Sequence, residues 1–229
     1  MSLTAGLLIL STSANATLID RGNGLIYDDV LNLTWMQDAN YAGTLGAANN
    51  GAMTWNDAML WVEGLVFQGY DDWRLPSMVD TGNPGCDFAT SGTDCGYDVQ
   101  TTDGSTIYSE MASLWFDTLG NPVQGGVVNT GPFINLQAAD FNDYYWLNQE
   151  YALRDDVAWT FYTYTALQFA EQKGALQYAW AVRSGDVGDW DLISSDPSSG
   201  DTVAVPEPST VLLLGGGLIG FLGFARRRK

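Results

Sequence analysis

The pattern of apolar and polar positions predicts two helices in the first half of the chain. The first begins after Thr54, where Asp57 completes a capping pair, and ends at Gly69. Its apolar face, at helical spacing, consists of Ala58, Trp61, Val62, Leu65 and Val66. The second helix begins after Ser109 and ends at Gly120.

Runs of β-branched and aromatic residues predict strands around these helices. A hairpin is expected from residues 25–27 and 31–36, and a short strand from residues 73–75, which Pro76 ends. Three later runs are residues 144–146, 158–164 and 178–183. Two helices early and several strands late predict an α+β domain with an antiparallel sheet.

The end of the chain follows a different pattern, because residues 211–225 carry no polar side chain. As a helix they rise about 22 Å, against a hydrocarbon core of about 30 Å. Ser209 and Thr210 extend them to a predicted transmembrane helix at residues 209–225, whereas a buried helix of a globular core would keep a polar face. Cations collect on the cytoplasmic side, so residues 226–229 should stay inside and the body outside.

The beginning of the chain also predicts export. Residues 7–10 form an apolar core and residues 14–16 match a cleavage site, so residues 1–16 are predicted to be a signal peptide. The folded domain then spans residues 17–187. Residues 188–204 form an acidic Ser/Asp/Gly linker to the tail.

Charge and composition limit the possible functions. The chain has 27 acidic and 9 basic residues, for a formal net charge of −18. Such a surface repels nucleic acid and attracts cations, so we expect no nucleic-acid partner. The chain contains no histidine, which removes Ser-His-Asp and Cys-His nucleophiles and most zinc sites. We therefore expect no enzyme and no cofactor, with Ca²⁺ as the open alternative.

Cys86 and Cys95 are predicted to form a disulfide. The chain is exported, and a short loop rich in Gly, Ser, Thr and Asp separates the two residues. A metal site or a catalytic thiol would need a partner that a chain without histidine lacks.

Aromatic residues provide the candidate ligand-binding surface. Alternation along residues 159–164 places Tyr162 and Tyr164 on the same face of a strand. Such a pair can form a platform for a sugar ring, and Tyr144 with Trp146 is a second candidate pair. The alternative is that helices cover this face of the sheet.

Acidic residues provide two further kinds of candidate. The oxygen ligands that lie near glycine, as in calcium loops, are Asp20, Asn23, Asp186, Asp189 and Asp191. The alternative, in a chain with so large a negative charge, is that these side chains are solvated and bind no calcium. The carboxylates that could act as acid and base in a glycan hydrolase are Asp71 with Asp72, and Glu150 with Asp155. Arg74 and Arg183 are expected to form ion pairs with Asp71 or Asp72.

The tail resembles a known sorting signal. Pro206-Glu207-Pro208, an apolar helix and the cluster Arg226-Arg227-Arg228 occur in the order of the PEP-CTERM signal of Gram-negative bacteria, which residues 205–229 closely resemble. The resemblance implies recognition by an exosortase-type membrane protease, with a membrane anchor before processing. Cleavage near the Pro-Glu-Pro would then deliver the body to the cell surface or extracellular matrix.

The body, over residues 18–187, resembles the C-terminal domain of collagen-like adhesins, the Lcl C-terminal domain family. The matching segments are Leu33-Thr34-Trp35, Thr54-Trp55, residues 69–76, Tyr145-Trp146, residues 158–161 and residues 178–183. This family is similar to C-type-lectin-like folds, and its adhesin members imply binding to extracellular glycans. We therefore predict an exported surface or matrix protein that binds or organises polysaccharide. The alternative is a structural matrix protein crosslinked by divalent cations, without a specific sugar site.

Overall fold

Two antiparallel four-stranded sheets organise the computed structural model, which describes residues 17–83, 92–139 and 143–188. The first sheet, in spatial order, contains β1 (Leu18–Asp20), β2 (Leu25–Asp28), β3 (Leu33–Met36) and β8 (Val182–Ser184). The second contains β4 (Gly96–Tyr97), β7 (Leu167–Gln172), β6 (Val157–Tyr162) and β5 (Tyr144–Glu150). The predicted α+β class with antiparallel pairing is confirmed. The C-type-lectin-like assignment stays a prediction.

The predicted hairpin is confirmed as β2 and β3, which pair in register from Leu25 opposite Met36 to Asp28 opposite Leu33. Strand β1 was not predicted, because three residues are too few to display a period. It pairs with β2 and completes the edge of the first sheet.

Residues 178–183 do not form the single strand that was predicted. Tyr178 makes a parallel bridge to Tyr145 of the second sheet, whereas Val182 pairs with Trp35 of the first sheet. The chain therefore crosses from one sheet to the other within this segment. Its apolar pattern is continuous because both ends are buried.

The helical segments are short and lie between the strands. They are α1 (Tyr41–Thr44), a 3-10 turn (Ala48–Gly51), α2 (Trp55–Glu63), α3 (Glu110–Ala112) and a π-helical turn (Ser113–Thr118). The caps of both predicted helices are confirmed, because Thr54 accepts from the Asp57 amide and Ser109 accepts from the Ala112 amide.

The predicted end of α2 at Gly69 is wrong. The helix ends with Gly64 as its C-cap, and Gly69, with a φ of 80°, serves a separate turn closed by the bridge between Phe67 and Tyr70. Val66 was assigned to the apolar face but is 69% exposed. The apolar spacing typical of a helix thus continues in the sequence beyond Gly64, where the helix itself ends.

Two other strand boundaries differ from the prediction. Residues 73–75 form only an isolated bridge, between Arg74 and Val182. The run at residues 158–164 ends as a strand at Tyr162, and the chain turns back into β7, which was not predicted. The sequence LQFAEQ of β7 contains residues that favour helices as well as strands.

The core joins the inner faces of the two sheets. Trp180 packs against Trp35 and Phe133, with ring centroids 4.9 Å and 4.8 Å apart. Trp115 of the π-helical turn packs against Phe161 of β6 at 5.8 Å. These aromatic contacts hold the β5–β6 ladder in place, and that ladder carries the candidate site.

In the part of the chain that the structure describes, no helix is long and apolar enough to cross a membrane. The predicted signal peptide at residues 1–16 and the predicted transmembrane helix at residues 209–225 lie outside the described residues.

Candidate functional site

Cross-strand pairing aligns tyrosines from three strands of the second sheet, β4, β5 and β6. Tyr144 lies opposite Tyr162, Tyr162 opposite Leu167, and Leu167 opposite Tyr97. Directly paired residues share a face of a sheet, and Tyr164 follows on the same side in the turn after β6. We call Tyr97, Tyr144, Tyr162 and Tyr164 the tyrosine row. The sequence did not indicate Tyr97, because β4 has only two residues.

Three rings of the tyrosine row, those of Tyr144, Tyr162 and Tyr164, stack on one another. The centroids of Tyr144 and Tyr162 are 4.3 Å apart with an interplanar angle of 28°, and those of Tyr162 and Tyr164 are 6.0 Å apart at 25°. Phe169 contacts Tyr144 edge-on at 5.3 Å. Tyr162 is only 6% exposed as a result, whereas Tyr97, Tyr144 and Tyr164 are half-buried. The row thus presents ring edges and the outer rings to a ligand.

The environment of Tyr144 and Tyr162 raises the pKa of both phenols. Burial raises the pKa of Tyr144, and the charge of Glu171 adds to the effect. Burial also raises the pKa of Tyr162, with further contributions from Tyr144 and Tyr164. A raised pKa favours the neutral phenol, so these hydroxyl groups remain hydrogen-bond donors at neutral pH.

Trp146 does not join this surface, although the sequence paired it with Tyr144. It is fully buried, and its indole N–H donates to the Met53 carbonyl at 2.8 Å. The segment before α2 covers the sheet at this point. Trp146 is therefore a core residue and offers no face to a ligand.

The two predicted calcium loops are joined by an ion pair. Arg21 donates from Nε to Asp186 Oδ1 at 2.9 Å and from Nη2 to Oδ2. Partial burial acts to raise the pKa of Asp186, but the hydrogen bonds from Arg21 and from the Gly188 amide lower it overall. Asp20 accepts from the Gly22 amide in a local turn, and Asn23 adopts a left-handed conformation with a φ of 52°.

Within residues 17–83, 92–139 and 143–188, no group of three Asp, Glu, Cys or His side chains could hold a metal ion. Asp189 and Asp191 lie outside the described residues, so their role stays a prediction.

Two of the four carboxylates proposed for catalysis, Asp72 and Glu150, lie in separate ion pairs. Arg183 donates to both oxygens of Asp72 and lies 4.0 Å above the ring of Tyr70. The hydrogen bond from Arg183 lowers the pKa of Asp72. Lys173 pairs with Glu150. The predicted partnership of Arg183 with Asp72 is confirmed.

Arg74 has a different partner from the one predicted. Its guanidinium binds both oxygens of Glu110, at 2.7 Å and 2.8 Å, and not Asp71 or Asp72. Glu110 is the buried first residue of α3, and the folded structure brings it to Arg74 from a distant part of the sequence. Each lysine and arginine in the described ranges is ion-paired with an acid.

Cys95 is buried and disulfide-bonded. Cys86 lies outside the described residues, so the pairing of these two cysteines stays a prediction.

A polar pocket of about 330 Å³ lies beside α1, and the sequence analysis missed it. We call it the amide pocket, and its lining residues are Asn40, Gly43, Thr44, Asn50, Asn135 and Gln137. None of them is charged. The concentration of Asn and Gly in residues 40–51 was the available signal, but Asn135 and Gln137 come from a distant segment.

Asn40 holds the pocket together. Its side chain accepts from the Gly43 amide at 3.2 Å and donates to the Asn50 carbonyl at 2.9 Å. A Cβ atom on either Gly43 or Gly51 would collide with the Asn40 side chain. Asn49, Asn50 and Gly51 form a continuous run of left-handed residues. The backbone is thus constrained where it borders the pocket.

One comparison with known proteins gives a match, and it falls in the tail. Residues 204–229 match the model of the PEP-CTERM protein-sorting motif. A search of curated proteins and a search of solved structures each found no match. The motif confirms the predicted sorting signal and indicates a substrate of exosortase-type sorting. Such a protein is exported, anchored in the membrane before processing and then released to the cell surface.

Proposed function

We propose that this exported protein binds extracellular polysaccharide at the cell surface, through the tyrosine row and without a catalytic step. The observation that carries this proposal is the alignment of tyrosines from three strands of the second sheet, β4, β5 and β6, with Leu167 of β7 between Tyr97 and Tyr162. A sheet fixes such side chains at regular spacing, so little conformational entropy is lost when a ligand binds.

The chemistry of the row suits a saccharide. A sugar ring has apolar C–H faces rimmed by hydroxyl groups, and tyrosine combines an aromatic surface with a hydroxyl group that can donate or accept. The half-buried outer rings, Tyr97, Tyr144 and Tyr164, provide the accessible surface. The resemblance of the body to adhesin domains supports the same class of ligand and, with it, a C-type-lectin-like fold.

The arrangement of charges supports binding without catalysis. A glycan hydrolase needs two carboxyl groups on either side of one bond, one of them with a raised pKa. Asp72 and Glu150 are each held by a cation, and the pKa of Asp72 is lowered, which disfavours proton donation. A binding protein needs no such pair.

Retention on polysaccharide tests the proposal. The purified protein should be retained on at least one of the neutral polymers dextran, mannan and galactan in the presence of EDTA. Replacing Tyr144 and Tyr164 together by Ala should weaken retention at least tenfold. Tyr108→Ala, a half-buried tyrosine outside the row, is the matched control and should change it less than twofold. Failure to bind any polymer, or equal binding by the double variant, would refute the proposal.

A second candidate is a matrix protein crosslinked by divalent cations. Because each described lysine and arginine is already ion-paired, the remaining carboxylates carry an uncompensated negative charge that attracts cations. Aggregation that requires calcium, that EDTA reverses and that shows no preference among sugars would favour this function over the first.

A further inference from the structure

The amide pocket has the chemistry of a binding site for an uncharged, hydroxyl-rich ligand. Amide side chains both donate and accept hydrogen bonds, as sugar hydroxyl groups require. An anionic ligand would need a cation, and none lines the pocket. The volume of about 330 Å³ is sufficient for one sugar unit.

Part of the hydrogen-bonding capacity of the pocket is not used within the protein. Asn135 donates to Thr44 Oγ1 at 3.2 Å, and Gln137 donates to the Asn135 carbonyl at 2.7 Å. These bonds fix the orientation of the two amides. The side chain of Asn50, by contrast, makes no hydrogen bond within the described residues, and it is exposed.

The backbone beneath the pocket has an uncommon conformation. Asn49 and Asn50 have φ values of 54° and 55°, and L-residues adopt this left-handed conformation mostly as single residues. Asn40, which is 4% exposed, locks this conformation through its bond to the Asn50 carbonyl. The Asn50 backbone is thus held in position at the pocket before any ligand binds.

The pocket and the tyrosine row lie on opposite sides of the β5–β6 ladder. Successive residues of a strand point to opposite faces, so Tyr145 points away from the face that carries Tyr144. The backbone N–H of Gln137 donates to the Tyr145 hydroxyl at 2.9 Å, and the Thr163 hydroxyl donates to the backbone carbonyl of Gln137 at 2.6 Å. Gln137 therefore lies on the Tyr145 side, and a single sugar unit cannot contact both sites.

We infer that the amide pocket is a second saccharide site and that, together with the tyrosine row, it allows one molecule to bridge two polysaccharide strands. This inference rests on the proposed function for the row. Two sites that face in opposite directions can hold separate strands, whereas a groove on one face would hold a single strand. The protein would then organise a matrix by crosslinking it.

A two-step capture assay tests the bridging. The immobilised polymer is whichever of dextran, mannan and galactan retains the protein best, and the readout is capture of the same polymer, fluorescently labelled and added second. The wild-type protein should capture it. Asn50→Asp places a negative charge at the pocket on an exposed residue that tolerates the left-handed conformation. This variant should remain bound to the immobilised polymer within twofold but capture at least tenfold less of the labelled one.

Asn32→Asp is the matched control, because Asn32 is also exposed and left-handed, with a φ of 51°, but lies outside the pocket. It should bridge like the wild type, and near-ultraviolet circular dichroism should show the same fold for all three proteins. Equal capture by Asn50→Asp and the wild type would overturn the inference, as would wild-type retention without capture, and both leave the proposed function intact. Absence of retention on every polymer would overturn both.

Discussion

Arg74 and Glu110 are joined by two parallel hydrogen bonds, from Nη1 to Oε2 at 2.7 Å and from Nη2 to Oε1 at 2.8 Å. The Ser77 amide also donates to Glu110 Oε2 at 2.7 Å. The pair connects the segment around Arg74, which forms a β-bridge with Val182, to the start of α3. Both side chains are less than a third exposed, so solvent only partly screens their interaction.

Removing this carboxylate should destabilise the fold. Glu110→Ala leaves Arg74 and the Ser77 amide without their partner, and we expect a loss of about 3 kcal/mol in the free energy of unfolding. Glu110→Gln keeps one acceptor and should lose less. Urea denaturation measures both. The control is Asp156→Asn, in the exposed pair with Arg154, which should cost much less because solvent screens an exposed ion pair. Equal costs for Glu110→Ala and Asp156→Asn would contradict the expectation.

Asp28 should make the protein less stable as the pH rises from acid. Burial raises the pKa of Asp28, against the effect of hydrogen bonds from the Leu31 and Val30 amides. Its Oδ2 has no hydrogen-bond partner in the described part of the chain. The unfolded chain therefore releases this proton first, at about pH 4, and stability falls as the pH rises from there through the raised pKa of the folded state.

Asp28→Asn should remove this decline, because the amide does not ionise. Each unit by which the pKa is raised corresponds to about 1.4 kcal/mol. Urea denaturation from pH 3 to pH 7 measures the difference between variant and wild type. Asp155→Asn, at an exposed position, is the control and should change the free energy of unfolding at pH 7 less than Asp28→Asn does. A parallel pH profile for Asp28→Asn and the wild type would refute this role of Asp28.

Substitutions at two glycines near α1 distinguish the cost of a left-handed backbone from the cost of a steric collision. Gly46 has a φ of 82° with no atom within 4 Å of an added Cβ, whereas at Gly51, with a φ of 88°, the Cβ would collide with the Asn40 side chain and the Gly43 backbone. Gly46→Ala should cost about 1 kcal/mol, from the left-handed conformation alone. Gly51→Ala should cost roughly 3 kcal/mol, because Asn40 and the Gly43 backbone must also move. Thermal denaturation compares them, and equal costs would mean that the close packing of Gly51 against Asn40 and Gly43 does not constrain the pocket.

The basic cluster at the end of the chain should be required for delivery through its charge. Changing Arg226, Arg227 and Arg228 together to Gln removes three of the four terminal cations and should leave the protein misrouted, because the cluster no longer favours the cytoplasmic side. Changing the same three residues to Lys keeps the charge and should preserve delivery. Immunoblots of the surface, membrane and soluble fractions measure the outcome. Normal delivery of the Gln variant would contradict the role of charge.

Local features of the fold were predicted well because they depend on residues close together in the sequence. Thr54 and Ser109 cap their helices through amides three residues away, and the β2–β3 hairpin joins neighbouring runs. The wrong predictions concern contacts between residues that are far apart in the sequence. Residues 178–183 form a continuous apolar run, but their burial is shared between two sheets.

Only the part of the candidate site that depends on neighbouring residues was predicted from the sequence. Alternation placed Tyr162 and Tyr164 together, and the structure stacks them. Alternation also placed Trp146 beside Tyr144, but it cannot show that the segment around Met53 covers Trp146. Similarly, Arg74 was correctly expected to be ion-paired, but its partner Glu110 is 36 residues away in the sequence.

The sequence by itself determined where this protein goes. The sorting signal at residues 204–229 is a linear pattern that is read without a folded partner, and the absence of histidine and the excess of acids are facts of composition. Only the tertiary structure decided which side chains form a surface. The tyrosine row and the amide pocket each combine segments far apart in the chain, and hydrogen-bonded strand pairing and packing, which no local pattern encodes, set their contacts.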